Sequence, residues 1–504
     1  MTLPQHDWIA HHAAFTPDAL AMTDLHSGRR YTYAEMHARV DRLAAWLVHD
    51  VGVAPGDRIS VLAHNTTDTY EIFFAGSRAG VMVLPLNWRL AVPELEFILN
   101  DADTRLLIHG ADFAEPAQEL ERRCGIPRLL EMRDGAPSAY ESVIDGCDAP
   151  AVAVPRALDD VWVLMYTSGT TGRPKGAQLT YQNHLFNNIN CTMKAELTRR
   201  SHALVYLPQF HVGGLCVYAF PCFHLGATVT VMRQFDPREC LRLLTDAGSG
   251  VSHTFGVPTN FLFMAQLPEF AEADFSHVTS VGIGGAAAPL SLLETYAEKN
   301  LLLQQGWGMT ETCTVGTLLD KPDALRKIGS SGRKVLHNEM RICDEHDRPL
   351  PTGATGELQI RGPQVTPGYW RRPEANATSF VDGWLKTGDA AYVDDEGFYY
   401  IVDRWKDMFI SGGENVYPAE IENVLYDLAG VAECAVIGVP DETWGEVGRA
   451  FVLAEPGATL SEKAVIDHCY ANLAKYKVPR SVRFVDELPH NATGKLLKHQ
   501  LPRD

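Results

Sequence analysis

The sequence predicts an α/β protein with a large N-terminal domain of layered α/β subdomains, a small β-barrel-like subdomain, and a small α+β C-terminal domain. Three observations predict it. Short β-rich apolar runs alternate with longer helical patterns through much of the first four hundred residues, which is the signature of strand–helix–strand units around buried sheets. From about Glu339 to Val402 the pattern changes to short strands, Gly/Pro turns and few helices. Beyond Arg404 comes a polar link (Asp403, Arg404, Trp405, Lys406, Asp407) and then a compact unit of about a hundred residues, a usual domain size. At 504 residues the chain is also too long for one ordinary core. The division is drawn at 1–404 and 405–504.

Taken in order, residues 58–62 (RISVL) read as a strand, 68–79 have helical periodicity, and 81–85 return to strand. The run 161–165 is apolar, and the strand pattern comes back at 203–207, 228–232 and 280–283. The most membrane-like stretch, 216–232, contains Pro221, His224 and Gly226 and reads as a buried helix plus a strand. In the C-terminal unit, a helix at 419–428 leads into a strand at 432–439. A strand at 449–453, a helix at 461–473 and a strand at 481–485 complete it.

Composition narrows the function. Lys and Arg total 44 against 63 Asp and Glu, a formal net charge of -19. Such a chain repels nucleic acid and anionic membrane surfaces, so a bound polyphosphate must be held by local features. Ten cysteines are scattered with no CxxC pair and no zinc-finger spacing, as expected of reduced core thiols in a cytosol. The N-terminus has no basic-then-apolar signal, the last residues are no lipidation or peroxisomal address, and no run reaches about 18 apolar residues. The expectation is a cytoplasmic protein with small-molecule partners, no nucleic acid and no integral membrane segment. A homodimer is left open.

The strongest motif follows the apolar run 161–165. After Tyr166 come Thr167, Ser168, Gly169, Thr170, Thr171, Gly172, Arg173, Pro174, Lys175 and Gly176. Glycine-freed N–H groups and hydroxyls can wrap phosphate oxygens, and Lys175 adds a point charge. It is not a Walker A loop, because Lys175 does not follow the second glycine directly and precedes Gly176 instead of Ser or Thr. A second segment runs Gln305, Gly306, Trp307, Gly308, Met309, Thr310, Glu311, Thr312. A carboxylate beside a hydroxyl suits Mg²⁺, which prefers oxygen ligands and few carboxylates. Residues 282–287 formally match the dinucleotide fingerprint, but Pro289 follows and no acidic residue lies about 20 positions on, so that reading is rejected. Asp389 and Arg404 could fix a vicinal diol between them. The paired glycines Gly412 and Gly413 allow close approach of backbone to a ligand. Near the end, Gly494 and Lys495 close a turn-like stretch.

The loop at 167–176 resembles the signature of the adenylate-forming superfamily, and the remaining motifs of that family recur in order as far as Lys495. The chain is similar to its acyl-CoA synthetase (fatty-acid–CoA ligase) branch. The resemblance implies that a carboxylate attacks the α-phosphate of Mg·ATP, releasing pyrophosphate, and that coenzyme A then takes the acyl group from acyl-AMP. It implies that Thr167, Ser168, Gly169, Thr170, Thr171, Gly172 and Lys175 grip the phosphates. Glu311 would hold Mg²⁺, Thr310 touch the α-phosphate, Trp307 lie on the adenine beside Gly285, Ala286 and Ala287, and Asp389 and Arg404 hold the ribose. It further implies that Lys495 is the catalytic lysine of adenylation, that Gly412, Gly413 and Glu414 line the coenzyme A channel, and that a mobile C-terminal domain turns about Lys406.

The acid itself is expected to meet His211, Val212, Gly306, Gly308 and Met309. His211 could equally be a structural histidine. Acetate-specific relatives place a bulky Trp where Gly308 stands, so the glycine is read as opening the pocket to a medium- or long-chain fatty acid, with an aryl or hydroxycinnamic acid as runner-up. A non-catalytic nucleotide-binding regulator is the reading from another class; it would expect decay at Lys495, Glu311 or Asp389, and all three stand.

Overall fold

Two sheets built mainly of parallel strands organise one compact unit, comprising residues 1–328, 334–339 and 361–378. The structure, a computed structural model, describes residues 3–133, 136–167, 174–286, 288–404, 407–411, 414–441, 444–473, 475–490 and 496–503, without the side chains of 404, 410, 414, 415 and 499. The first sheet orders Leu129–Met132, Thr104–Gly110, Arg58–Leu62, Met82–Pro85, Val161–Thr167 and Lys175–Thr180. Every neighbouring pair in it is parallel except the last, an antiparallel hairpin. All five residues of Arg58–Leu62 are buried. A strand covered on both faces has no reason to alternate, and RISVL does not.

The second sheet runs Thr314–Leu318, Leu303–Met309, Ser280–Gly284, His253–Gly256, His202–Val205, Thr228–Val231, Leu20–Asp24 and Arg30–Thr32. Its interior pairs are parallel and the first and last pairs named are antiparallel. The helix Tyr181–Ala195 packs against both sheets and opens with a capping box, Thr180 and Asn183 bonding each other's backbone N–H. A core around Trp162, stacked on Tyr181 and Phe220 at 5.2 and 4.8 Å, is fully enclosed. Each such ring contributes roughly 1.5–3 kcal/mol by leaving water.

The helix expected at 68–79 is Thr67–Ala79, one residue longer because Thr66 caps it from outside, and it stops at Gly80 with φ 76°. The expected helix plus strand in 216–232 are Ala219–Leu225 and Thr228–Val231.

The other unit comprises 329–333, 340–360 and 379–504. Its first part is a small antiparallel sheet including Gly356–Arg361, Trp384–Val393 and Tyr399–Arg404. Its second part pairs Val431–Asp441 with Gly445–Ala454, adds Ser481–Phe484 in parallel, and packs Pro418–Tyr426 and Glu462–Asn472 around Ile421, Leu425, Val436, Val452 and Val465. Strands and helices of the C-terminal stretch therefore fall where periodicity puts them.

Candidate active site

The phosphate-loop candidate is the turn of a hairpin. Val161–Thr167 enters it and Lys175–Thr180 leaves it, with Thr167 directly opposite Lys175. The Thr167 hydroxyl donates to the Lys175 carbonyl at 3.5 Å. Ser168, Gly169, Thr170, Thr171 and Gly172 lie outside the described residues, so the geometry concerns the feet of the loop. Both feet are firmly set: the Tyr166 phenol donates to Asp101 at 2.6 Å, and the Trp370 backbone N–H donates to the Gly176 carbonyl at 2.7 Å. Burial, then Asp101, pushes the Tyr166 phenol above the usual tyrosine range.

Glu311 is the middle residue of a single 3₁₀ turn, Thr310–Thr312, and is buried with both neighbours. Three residues from one later segment fix it, one through its backbone and two through side chains. The Thr366 N–H donates to the Glu311 carbonyl at 2.8 Å, and Gln364 donates to the carbonyls of Thr312 and Val315 at 2.9 and 2.6 Å. The Tyr369 phenol donates to a Glu311 carboxylate oxygen at 2.7 Å. The same ring lies 5.2 Å from the Lys175 ammonium, a cation–π contact. Asn183 holds that segment in turn by donating to the carbonyls of Pro363 and Val365. A buried carboxylate with one oxygen oriented by a phenol fits a small hard cation that shares its remaining ligands with phosphates and water. Sequence reasoning missed Gln364, Thr366 and Tyr369. The available signal was a run of polar and aromatic residues punctuated by Gly362, Pro363, Pro367 and Gly368.

Gly285 and Ala286 lie exposed just past the strand Ser280–Gly284, Gly285 with φ 82°; Ala287 lies outside the described residues. Trp307, Gly308 and Met309 close the adjacent parallel strand. Carboxyl ends of adjacent parallel strands are where α/β folds bind ligands.

Gly308 has a packing reason to be glycine. A Cβ there would stand 1.7 Å from the Thr314 carbonyl oxygen, because the ladder to Thr314–Leu318 shifts register between Trp307 and Gly308. That backbone approach by itself requires a glycine, whatever the depth of the acyl pocket. Gly306 is also crowded, its added Cβ falling 2.9 Å from Leu318.

His211 is exposed and caps the short helix Val212–Leu215, its Nδ1 accepting from the Gly213 N–H at 3.2 Å. The structural alternative thus has direct geometric support. Val212 is buried in the main core.

In the other unit, Asp389 and Arg404 are fifteen positions apart in sequence but directly opposite across the ladder of Trp384–Val393 and Tyr399–Arg404. Asp389 is buried and its N–H bonds the Thr387 hydroxyl at 3.1 Å. Lys406, Gly412, Gly413 and Lys495 lie outside the described residues, as do the side chains of Arg404 and Glu414. Both feet of the Lys495 stretch are described. His490 bridges to Leu496, the Leu497 N–H donates to the Pro489 carbonyl at 2.7 Å, and His490 Nε2 meets Glu433 at 2.6 Å. Three residues beyond Lys495, the Lys498 ammonium pairs with Glu422 at 2.8 Å, both largely buried. Burial alone would pull the lysine's pKa down; Glu422, Asp403 and Asp407 outweigh it and hold the ammonium above the usual lysine range.

This fold and turn geometry define an adenylate-forming enzyme, and similarity to known proteins agrees. The AMP-binding enzyme profile matches residues 9–370 and the AMP-binding enzyme C-terminal domain profile matches 420–495, so the chain belongs to the AMP-binding enzyme family. A feruloyl-CoA synthase of Amycolatopsis sp is 41% identical over 98% of both chains. A long-chain-fatty-acid–CoA ligase of Mycobacterium tuberculosis is 38% identical over 96% of this chain and 95% of its own. Among solved structures, ATP-bound MatB from Rhodopseudomonas palustris superposes with a TM-score of 0.90 at 30% identity, covering 98% of this chain and 97% of that one. More particularly, the chain is an AMP-forming acyl-CoA synthetase, an acid–thiol ligase that uses ATP, Mg²⁺ and coenzyme A and passes through an acyl-adenylate. Among the described residues no helix is long and apolar enough to cross a membrane.

Proposed function

We propose that the acid activated by this ligase carries an extended apolar tail, with a medium- or long-chain fatty acid as the first reading. The observation that supports it is an aromatic ring laid on glycines at the carboxyl ends of two parallel strands. Gly256 and Gly284 end adjacent parallel strands, and Gly282 and Gly284 both face the Phe255 ring, which lies 2.5 and 3.1 Å from where their Cβ atoms would be. The ring fills the space those glycines leave, so the partly buried Phe255 is itself the apolar surface offered to hydrocarbon. A hydroxycinnamic acid is the second reading, favoured by the 41% identity to a feruloyl-CoA synthase. A panel of fatty acids from four to eighteen carbons and of hydroxycinnamic acids, scored by kcat/KM for acyl-CoA formation, decides between them. Preference for acetate or malonate over every apolar acid would overturn both readings.

The division of labour follows the chain's own groups. Thr167 and Lys175 anchor the loop, and Ser168, Gly169, Thr170, Thr171 and Gly172 are the residues expected to grip the phosphates. Glu311, oriented by Tyr369, would hold Mg²⁺, which supplies positive charge against the leaving pyrophosphate. Thr310 steadies the α-phosphate, Trp307 stacks on adenine beside Gly285, Ala286 and Ala287, and Asp389 and Arg404 take the ribose hydroxyls. His211, Val212, Gly306, Gly308 and Met309 border the acyl group. Lys495 neutralises charge on the α-phosphate as the carboxylate oxygen attacks and the bond to pyrophosphate breaks, an electrostatic contribution. The thiol of coenzyme A then attacks the acyl carbon past Gly412, Gly413 and Glu414, and AMP leaves. The boundary at 404/405 with its hinge at Lys406 would serve this exchange of tasks. Ten free cysteines accord with a cytoplasmic setting, and a homodimer is tested by sedimentation.

A further inference from the structure

Behind the Glu311 turn lies a cluster that the ligase reaction does not use. His184 comes from the helix Tyr181–Ala195, Cys216 caps the C-terminus of Val212–Leu215, and Cys313 directly follows Thr310–Thr312. All three side chains are fully enclosed. His184 Nδ1 stands 3.8 Å from the Cys216 sulfur and 3.4 Å from the Cys313 sulfur. All three donor atoms lie within 4.8 Å of one another.

We propose that His184, Cys216 and Cys313 form a buried site for a thiophilic cation of the Zn²⁺ or Cu⁺ class, distinct from the Mg²⁺ position at Glu311. The spacing is the first argument. Zinc sits about 2.3 Å from sulfur and about 2.0 Å from imidazole nitrogen, so tetrahedral ligands place nitrogen and sulfur about 3.6 Å apart. The observed 3.4 and 3.8 Å bracket that value, and the two sulfurs lie within 4.8 Å of each other. Charge is the second. Two thiolates and a neutral imidazole cancel a dication, which makes its burial in an apolar core affordable, whereas the absence of any oxygen donor in the triad disfavours Mg²⁺ and Ca²⁺. Backbone conformation is the third. Cys313 holds φ 51°, a left-handed conformation that favours glycine or asparagine, and it is the conformation that follows the Glu311 turn. The ring of His184 is held edge-on between Trp162 and Phe220, so its Nδ1 has a fixed direction. The ligands span positions 184 to 313 and belong to three elements, so an occupied site ties the turn that follows His211 to the turn that carries Glu311.

The test uses the full chain, reduced and freed of metal with a chelator. Titration with Zn²⁺ against a chromophoric competitor, and separately with Cu⁺ under anaerobic conditions, is expected to show about one tightly held equivalent for at least one of them. Co²⁺ should give the intense tetrahedral and sulfur-to-cobalt charge-transfer bands of a thiolate site. Cys216→Ser and Cys313→Ser should lose those bands, while Cys222→Ser, a buried thiol outside the triad, should keep them. Addition of excess Mg·ATP should leave the bound cation in place. The wild-type spectrum alone is decisive even where a variant fails to fold. No sulfur-to-cobalt band and no stoichiometric Zn²⁺ or Cu⁺ in the wild type, or full retention in both triad variants, would overturn the proposal.

Discussion

The Tyr369 phenol donates to the Glu311 carboxylate across 2.7 Å while its ring faces the Lys175 ammonium at 5.2 Å. One aromatic side chain therefore couples the acidic residue of the turn to the basic residue of the loop hairpin, 136 positions earlier in the chain. Its ring and its hydroxyl do separable things. Tyr369→Phe keeps the cation–π contact and removes a hydrogen bond to a charged group, worth about 1.5–3 kcal/mol. Acid-dependent ATP–pyrophosphate exchange should fall by about tenfold or more at limiting Mg²⁺, with a higher Mg²⁺ requirement than wild type. An unchanged Mg²⁺ dependence would show that Glu311 needs no such orientation.

Gly308 makes the opposite kind of prediction. Since a Cβ would meet the Thr314 carbonyl at 1.7 Å, even Gly308→Ala must open the bulge between two strands. The expected result is a loss of about 1–3 kcal/mol in stability, the usual cost of overpacking, and a uniform fall in exchange across short, long and aromatic acids. A selective shift of Gly308→Trp towards short acids, with stability intact, would restore the glycine as a pocket gauge.

What the sequence disclosed and what it hid divide along a physical line. Strands such as Arg58–Leu62 and helices such as Glu462–Asn472 carry their own periodicity, so local composition found them. The loop at Thr167 to Lys175 and the segment at Glu311 stand out in the sequence because glycines, hydroxyls and charge cluster within a few residues; their roles towards ATP remain proposals. Tyr369, Gln364 and Thr366 were missed because their meaning comes from a neighbour some fifty positions away. The packing demand on Gly308 is hidden for the same reason, its neighbour being the backbone of the next strand. The pairing of Asp389 with Arg404 lies between: the sequence singles out both residues, and the ladder supplies the register that sets their backbone positions opposite each other.

The C-terminal tail allows a half-reaction to be separated. Lys495→Ala should abolish adenylation and spare thioester formation from supplied acyl-adenylate. Lys498 sits in the same tail, its ammonium 2.8 Å from Glu422, and Lys498→Met leaves that buried carboxylate unpaired. Breaking a buried pair from one side costs about 3–5 kcal/mol, whereas replacing both partners is far milder. Lys498→Met should therefore unfold more readily in urea and lose adenylation more than thioester formation, and Lys498→Met with Glu422→Leu should recover much of the stability. Equal loss of both half-reactions in Lys498→Met would detach this ion pair from the placement of Lys495.

Acid sensitivity follows from three histidines in the first unit. Burial holds the pKa of His202, His224 and His253 down to about 4, against 6.5 ordinarily. Each makes a neutral-ring hydrogen bond or packs against rings: His202 with Thr230 at 2.6 Å, His253 with the Ala195 carbonyl at 3.0 Å, His224 against Trp8. The folded pKa lies below the unfolded one, so the unfolded chain binds more protons between about pH 6.5 and 4 and stability rises with pH across that window. The contribution is fully present above about pH 6.5 and is lost as pH falls towards 4, on the order of 3 kcal/mol per ring at the limit. Urea midpoints should therefore drop between pH 7.5 and pH 5 without any change in the bound nucleotide. His253→Gln, which can still donate to the Ala195 carbonyl, should flatten that dependence by roughly the share of one ring among three. A wild-type slope in the His253→Gln variant would place the acid sensitivity in the carboxylates instead.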